Sequence, residues 1–385
     1  MKPATTPNEK SVPGKPVLCM SFELDAAQWK MSFSPGLGQR ARCKTVRARD
    51  LEAVQKEINS AKTRFGLPEE ARVVSCYEAG RDGFWLHRAL EAMGVENQVV
   101  DSASIEVNRR ARRTKTDRLD GDKLLGMLLR WVGGEERVWS VVRVPSAEEE
   151  DQRHLHRELR RVKNDHTRLT NRIKGLLATQ GVELKVLRDL PAQLDTVQLW
   201  NGESLPKGLR ASLEREWEQV ILLRKRIGEL EAERRRLLRC AADAGSQCAG
   251  KLLRLGAIGP NAAWLFALEF FSWRQFKNRR QIGALAGLTS TPYRSGTRGH
   301  EQGISKAGNR WIRGLAIEIA WGWLRYQPQS ELSQWYQRRF GSGSTRLRKI
   351  GIVALARKLL IELWKYLETG TPPAGAVLKQ GTLRA

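Results

Sequence analysis

Four carboxylates, Glu23, Glu78, Asp117 and Asp120, have types and positions suited to metal-dependent chemistry on phosphodiesters. Glu23 comes late in a predicted strand, and Glu78 ends an apolar run that is followed by glycines, which allow a substrate close to the backbone. Asp117 and Asp120 stand at i and i+3 at the start of a predicted helix, about 60° apart on one face. Mg²⁺ prefers carboxylate ligands, and two such ions roughly 3.5–4 Å apart stabilise both oxygens of a displacement at phosphorus. Each acid alone also suits an exposed strand residue or a helix N-terminal acid.

Asp25 competes with Glu23 for the first position of this set. Both residues would lie on the same face of the first predicted strand, because side chains alternate along a strand. We favour Glu23, since the next predicted strand starts at Trp29 and a turn needs the residues between them.

Ser295, between Arg294 and Gly296, is a candidate nucleophile. It lies in a segment rich in Ser, Thr, Gly and Arg, which we predict to be a loop between an apolar lead-in and a helix, and functional residues concentrate in such loops. A serine needs an adjacent base to attack, and His300 is close only in sequence. Spacing alone therefore favours an ordinary loop residue over a catalytic serine.

Two sets of basic residues adjoin these candidates. The first directly precedes the predicted helix and consists of Arg109, Arg110, Arg112, Arg113 and Lys115. The second surrounds the serine and consists of Arg294, Lys306, Arg310 and Arg313. The last three are spaced i, i+4, i+7, which predicts one helical face that could hold a phosphate or simply be solvated.

Composition favours contact with nucleic acid. The 385 residues include 67 Lys and Arg against 42 Asp and Glu, a net charge of +25, which indicates a polyanionic partner. Hydrophobic residues make up 41% of the chain, enough for folded cores, and this excludes a largely disordered or fibrous protein. Five scattered cysteines without a CxxC pair, and five histidines, support neither a disulfide framework nor a zinc cluster. No apolar run is long enough to span a membrane.

The pattern before Pro145 predicts an α/β fold of the ribonuclease-H type. Strands are predicted at 17–25, 29–33, 42–47, 72–78 and 98–107, and helices at 50–65, 83–93 and 116–132. Asp50 is the predicted N-cap of the first helix. Three strands in a meander followed by helix, strand, helix, strand and helix is the element order of that fold. The acids then fall where this fold would bring them together.

The rest of the chain is predicted to be helical. Two seven-residue apolar repeats, at 155–176 and 220–237, predict an antiparallel hairpin or an intermolecular coiled coil, with Arg234 in an apolar position of the second repeat, and we favour a dimerisation stalk. The motif LGAIGP at 255–260 fits either a phosphate-binding turn between helices or a simple tight turn. The predicted domains are a disordered N-terminus (1–16), a catalytic domain (17–145), a helical linker (146–248), a mostly helical domain (249–370) and a flexible tail (371–385).

Several motifs in this order resemble the insertion-sequence 110 family of bacterial transposases, the DEDD enzymes regarded as bridge-RNA-guided recombinases. They are YEAGRDGFWLHRAL at 77–90, VVDSASIEVNRR with KTDRLDGDKL at 99–124, LGAIGP at 255–260, and GLTSTPYRSG with ISKAGNRWIR at 287–313. Their order and spacing together are specific, and they cover most of the chain.

The resemblance implies a RuvC-like domain whose acidic tetrad, Glu23, Glu78, Asp117 and Asp120, binds Mg²⁺, a coiled-coil linker, and a C-terminal transposase domain. The nucleophile would be Ser295, which attacks a DNA phosphate, forms a phosphoserine and frees a 3′ hydroxyl, with a partner subunit's metal-binding domain completing the site. The implied partners are donor and target DNA, a non-coding bridge RNA, and further copies of the chain in a dimer or a tetramer on DNA.

We therefore expect a bacterial cytoplasmic, nucleoid-associated recombinase. The family's usual first acid is aspartate where this chain has Glu23, whose side chain is one methylene longer. Two alternatives are a nucleic-acid-binding protein without catalysis and a metal-only nuclease of the Holliday-junction type.

Overall fold

The computed structural model describes residues 16–106, 117–295 and 298–379, with all their side chains except those of residues 103, 117–120 and 292–302. Contacts divide the chain into two compact units, Met1–Pro145 and Ser146–Ala385, and the fold class is mixed α/β, as predicted. No helix in the described ranges is long and apolar enough to cross a membrane. The predicted disordered stretch 1–16, except Pro16, and the first basic set lie outside the described residues. That set is Arg109, Arg110, Arg112, Arg113 and Lys115.

The first unit is built on a five-stranded mixed sheet with the order β3-β2-β1-β4-β5. The strands are β1 (Val17–Leu24), β2 (Gln28–Ser34), β3 (Arg42–Arg47), β4 (Arg72–Glu78) and β5 (Glu96–Val100). The first three form an antiparallel meander, and β4 pairs in parallel with β1 and β5. The helices are α1 (Leu51–Arg64), α2 (Trp85–Ala92) and α3 (Asp117–Val132).

The end of β1 differs from the prediction and removes Asp25 from the strand. β1 ends at Leu24, and the Asp25 carboxylate accepts a hydrogen bond from the Ala27 amide at 3.0 Å. This side-chain turn closes the hairpin between β1 and β2. The backbone amides of Ala27 and Ala26 lower the pKa of Asp25. The expectation that Asp25 shares a strand face with Glu23 is therefore wrong.

The last strand of the sheet is shorter than predicted. β5 ends at Val100, and Ser102–Ser104 forms a 3₁₀ turn in which the Ser104 amide donates to the Asp101 carbonyl at 2.8 Å. The prediction of a strand over 98–107 is wrong because this turn interrupts the extended backbone. By contrast, the predicted N-cap of α1 is confirmed, since the Asp50 side chain accepts from the Ala53 amide at 2.9 Å.

The sheet buries both faces, which places Glu23 on a specific side. Leu18, Met20 and Phe22 belong to the core shared with α1 and α2. Cys19 belongs to the opposite core, which contains Leu124 of α3. Because side chains alternate along a strand, Glu23 projects to the α3 side of the sheet.

The second unit begins with a helical hairpin. Its helices are α4 (Ala147–Asp151), α5 (His154–Ala178), α6 (Leu190–Asp195) and α7 (Lys207–Cys240). Leu159 and Val162 of α5 pack with Leu230 of α7, whereas Ile173 shares a core with Trp217, so the two helices run antiparallel. The apolar repeats therefore pack against each other within one chain as an antiparallel hairpin, which is one of the two arrangements that their spacing predicts.

A mostly helical bundle follows the hairpin. Its elements are α8 (Ala244–Leu253), α9 (Pro260–Phe266), α10 (Arg279–Leu285), β6 (Ser290–Ser295), β7 (Arg298–Ile304), α11 (Arg310–Tyr326), α12 (Glu331–Tyr336) and α13 (Thr345–Thr369). One apolar core joins these helices, with Trp323 and Leu359 among its buried members.

Residues 377–379 are attached to this bundle. The Val377 carbonyl accepts hydrogen bonds from the Gly256 amide at 3.3 Å and from the Gln327 side chain at 2.8 Å. The Lys379 ammonium donates to the carbonyls of Leu253 and Ile258 at 2.9 and 2.7 Å. The predicted flexible tail is therefore wrong as far as Lys379. The turn at 255–260 thus contacts residues 377–379 through Gly256 and Ile258.

A buried ion cluster fixes the hairpin to the bundle. Glu269, in the π-helical turn Ala267–Phe271, is 4% exposed and accepts from His156 Nε2 at 2.9 Å and from Arg157 Nε at 2.7 Å. Burial by itself would raise the pKa of Glu269, but the hydrogen bonds from His156 and Arg157 outweigh it and lower the pKa to about 2.

Replacing Glu269→Gln is expected to lower the free energy of unfolding of the second unit by about 3 kcal/mol at neutral pH, because it breaks a buried ion pair from one side. A carboxylate with a lowered pKa stabilises above its unfolded pKa, near 4.5, and loses this effect as the pH falls towards 2. Urea unfolding should therefore show a difference in unfolding free energy between the wild type and Glu269→Gln that is smaller at pH 3 than at pH 7. The control Glu229→Gln removes an exposed ion pair with Lys225 and should change little. The same difference in unfolding free energy at both pH values would contradict this explanation of Glu269.

Candidate active site

Glu23 and Glu78 lie side by side at the carboxyl ends of two parallel strands. The β1–β4 pairing runs up to Phe22 opposite Tyr77, and the two glutamates follow these residues directly. Adjacent strands lie about 4.8 Å apart, and residues in register project to the same face. Glu23 is half-buried and Glu78 is exposed. Lys30 of β2 faces Glu23 across the antiparallel pair, so the site has one cation within the sheet itself.

The first turn of α3 is anchored over the same face. The Ser21 hydroxyl donates to the Gly121 carbonyl at 2.9 Å, and Ser21 precedes Glu23 by two residues. Asp117 and Asp120 belong to the helical turn that leads into Gly121. The fold therefore brings the backbone of both aspartates to the face on which the two glutamates lie.

The donor set fits Mg²⁺ by its chemistry. All four candidates are carboxylates, the hard oxygen ligands that Mg²⁺ takes in proteins. Among the described side chains, no group of three or more His, Cys, Asp and Glu is arranged to hold a metal ion. Glu23 and Glu78 are among these side chains, whereas those of Asp117 and Asp120 lie outside the described ones.

Asp101 is a further acid at this end of the sheet that sequence reasoning missed. Glu78 pairs with Val100 in the β4–β5 ladder, and Asp101 follows Val100 directly. Its amide donates to the Ser140 carbonyl at 2.9 Å, and the residue is half-buried. The sequence signal for it is an acid directly after the apolar residues Val99 and Val100. The predicted strand over 98–107 placed Asp101 inside the strand and not at its end.

Ser295 lies at the tip of a β-hairpin. β6 and β7 pair antiparallel, with Ser295 opposite Arg298 as the last pair, and Gly296 and Thr297, which join them, lie outside the described residues. The prediction of a loop here is wrong, since Thr and Tyr favour strands and a two-residue connection containing Gly is typical of a hairpin. His300 pairs with Tyr293, two positions along the ladder. The side chains of Ser295, Arg294 and His300 lie outside the described ones.

The base of the hairpin is tied to the bundle. The Ser305 amide donates to the Thr289 carbonyl at 2.8 Å, and the Lys306 amide donates to the Gly287 carbonyl at 3.2 Å. Arg313 Nη1 donates to the Lys306 carbonyl at 2.9 Å. These contacts fix the point at which the serine-bearing hairpin leaves the helices.

The predicted face of Lys306, Arg310 and Arg313 does not form. α11 begins at Arg310 after the N-cap Asn309, whose side chain accepts from the amides of its first turn. Lys306 precedes the helix, in a left-handed conformation with φ of 56°. The prediction of one helical face for all three residues is wrong because Lys306 lies before the N-cap, whereas Arg310 and Arg313 both belong to α11.

Gly308 holds the hairpin base in a conformation that other residues resist. Its φ is +104°, and a Cβ there would collide with the Leu285 carbonyl. Gly308→Ala is expected to destabilise the hairpin base by roughly 3 kcal/mol, because the strain of a positive φ adds to the clash. Limited proteolysis between β6 and β7 and thermal unfolding measure this. The control Gly303→Ala has φ +92° but open space, so it should cost only about 1–2 kcal/mol. Equal destabilisation by Gly308→Ala and Gly303→Ala would contradict the proposed collision with the Leu285 carbonyl.

Comparisons with known proteins agree on one family. Residues 249–336 match the model of the Transposase IS116/IS110/IS902 family. The protein named "Putative transposase y4rJ" of Sinorhizobium fredii is 42% identical over 375 residues, which cover 94% of each chain. The transposase for insertion sequence element IS1328 of Yersinia enterocolitica is 27% identical over 56% of this chain and 63% of its own. The transposase for IS1111A of Coxiella burnetii is 25% identical over 73% and 74%.

Proposed function

This chain belongs to the IS116/IS110/IS902 family of insertion-sequence transposases, and we propose that it cuts, exchanges and rejoins DNA strands through Ser295 and an acidic metal site. The observation that carries the proposal is the strand register that sets Glu23 beside Glu78, with the first turn of α3 anchored over them. The element order of residues 17–132 is that of a ribonuclease-H-like, RuvC-type domain, which supports this assignment.

Glu23, Glu78, Asp117 and Asp120 would hold Mg²⁺. When bound, Mg²⁺ would supply positive charge to the phosphate undergoing displacement. The protein's own part is to keep carboxylates at the ends of rigid strands and at the start of a helix, where backbone pairing fixes their spacing. Glu23 can reach further than aspartate by one methylene, which suits its half-buried position.

Ser295 would act as the nucleophile from the hairpin tip. Its Oγ forms a bond to a DNA phosphorus as its proton leaves, and the bond from that phosphorus to the 3′ oxygen breaks, so the 3′ oxygen takes up a proton. The phosphoserine keeps the free energy of the phosphodiester bond, and a 3′ hydroxyl of another strand can reverse the step without a high-energy cofactor.

The proposed partners are donor and target DNA and a non-coding bridge RNA. The net charge of +25 supports binding to polyanions. Base pairing with an RNA would leave the protein to recognise backbone and shape. We further propose that the 146–248 segment is the linker, that 249–370 is the transposase domain, and that the chain acts on DNA as a dimer or tetramer in the nucleoid.

The proposal is tested by incubating the protein with donor DNA, target DNA, its candidate guide RNA and Mg²⁺, and by measuring recombinant junctions. Junctions should form in the complete mixture and disappear when either RNA or Mg²⁺ is omitted. Cleavage without any junction would favour the metal-only nuclease. Tight binding without cleavage would favour a nucleic-acid-binding protein that lacks catalysis.

A further inference from the structure

A cavity of about 610 Å³ lies in the second unit, where α5 and α7 meet α9 and α11. Ligand-binding pockets in proteins commonly enclose about 300–1,000 Å³, so the cavity is large enough for a group the size of a nucleotide. It involves none of the acids at the end of the sheet and lies outside the serine-bearing hairpin.

The cavity wall is strongly basic. Arg160 and Lys163 of α5, Arg234 of α7 and Arg310 of α11 line it, against the single carboxylate of Glu318. Lys163 also pairs with Glu231. Burial and then the positive charge of Arg310 lower the pKa of Arg160, whereas the charge of Glu269 raises it. The side chains that line the cavity carry an excess of positive charge, which a bound anion would offset.

Buried polar nitrogen atoms of the wall lack partners among the described residues. Arg234 is 6% exposed, and its Nε has no hydrogen-bond partner, although Nη1 donates to the Asn261 side chain. Trp264 is 3% exposed and its Nε1 has none. The same holds for Nδ1 of His156. A buried polar atom without a partner costs roughly 1–3 kcal/mol, and all three of these atoms belong to residues that line the one cavity.

The wall also offers flat apolar surface. Trp311 lines the cavity, with the Arg160 guanidinium 4.3 Å from its ring centroid. Leu159 and Leu315 add aliphatic surface. Aromatic and guanidinium planes together with a basic groove are the means by which proteins bind unpaired nucleotides. A bare inorganic anion would leave this surface unused.

We propose that this cavity binds one unpaired nucleotide of a nucleic-acid strand, with its phosphate at Arg160 and Arg234 and its base against the Trp311 wall. The proposal rests on the proposed function in that it assumes the chain handles nucleic acid. One residue of the site is unusual in the sequence itself, since Arg234 occupies an apolar position of the second heptad repeat. A buried arginine weakens a helical hairpin unless it has another role.

Photocrosslinking of the full chain to single-stranded oligonucleotides tests this assignment. RNA containing 4-thiouridine and DNA containing 4-thiothymidine form separate arms that identify which strand supplies the nucleotide, and mass spectrometry locates the crosslinks. We expect labelling of Trp264 or Trp311 in at least one arm, and much less with duplex DNA, whose bases stay stacked. Crosslinks found only elsewhere would overturn the proposal.

Arg234→Met separates binding from structure. It should reduce crosslinking at the cavity and weaken single-strand affinity by about 10–100-fold, because a charge-assisted hydrogen bond is lost, while the melting temperature stays equal or rises. The control Arg236→Met removes the same charge from an exposed position of α7 and should change affinity by no more than about 3-fold. A lower melting temperature with unchanged crosslinking would mean that Arg234 is structural and would overturn the proposal.

Arg160→Gln gives a second test at a more exposed position, should Arg234→Met fail to fold. The same loss of cavity labelling is expected, and unchanged labelling would contradict the site. Failure of the cavity proposal can be distinguished from failure of the proposed function. A chain that binds oligonucleotides and forms recombinant junctions without cavity labelling overturns only this inference, whereas a chain that binds no nucleic acid overturns the proposed function.

Discussion

Ser295→Ala should abolish recombination, with a loss of at least about 10³-fold, because the hydroxyl that forms the covalent intermediate is absent. Binding of DNA and RNA should stay nearly unchanged, since one small uncharged atom is removed from the tip of the hairpin and its strands pair through the backbone. The measurement is a protein–DNA adduct on a denaturing gel, with end-labelled DNA and with wild type and variant run together.

Ser290→Ala is the matched control for this experiment. Ser290 begins the same strand, is exposed, and pairs through its backbone with Ile304. Its replacement should leave adduct formation unaltered. If Ser295→Ala still cuts DNA at the wild-type rate, the serine is not the nucleophile, and the metal-only nuclease becomes the better account.

Glu78→Gln should lower strand transfer by about 10²–10³-fold, because it removes a charged ligand from the site that stabilises the reacting phosphate. The fold should tolerate the change, since Glu78 is an exposed residue at the end of β4. If Glu78 acts as a metal ligand, raising the Mg²⁺ concentration should restore part of the rate by mass action. Rates over a Mg²⁺ titration, together with Mg²⁺ binding measured by calorimetry, separate affinity from chemistry.

Glu70→Gln is the control, since it removes the same charge from an exposed position that precedes β4 in the sequence. Its rate and its Mg²⁺ dependence should equal those of the wild type. A Glu78→Gln variant with full activity and unaltered Mg²⁺ dependence would remove Glu78 from the proposed site. Asp117→Asn should behave like Glu78→Gln, with recombination lost and nucleic-acid binding retained.

The sheet could be predicted from sequence because its signals are local. The apolar runs that become β1 and β4 are buried on both faces, and Asp50 caps α1 as its position suggested. The errors lie where a side chain or a turn ends an element. The Asp25 side chain closes the first hairpin. A 3₁₀ turn at Ser102–Ser104 follows the end of β5 at Val100, so that Asp101 lies directly after the strand and not within it.

Other features depend on contacts between distant residues. The heptad repeats predicted paired helices, but apolar spacing does not specify whether the partner helix belongs to the same chain. The attachment of Lys379 to the turn after α8 spans more than a hundred residues and leaves no local pattern. The cavity around Arg234 is similar, because one arginine in an apolar repeat shows its role only when α5, α7, α9 and α11 meet.

The most direct test of the central claim is to identify the residue that carries DNA in the trapped adduct. The wild-type chain is incubated with guide RNA, Mg²⁺ and cleavable DNA, quenched with denaturant, digested with nuclease and trypsin, and analysed by mass spectrometry. The account predicts a nucleotide joined through phosphate to Ser295, within the fragment 295–298. An adduct mapped to another residue, or recombinant junctions formed with no adduct at any time point, would contradict it.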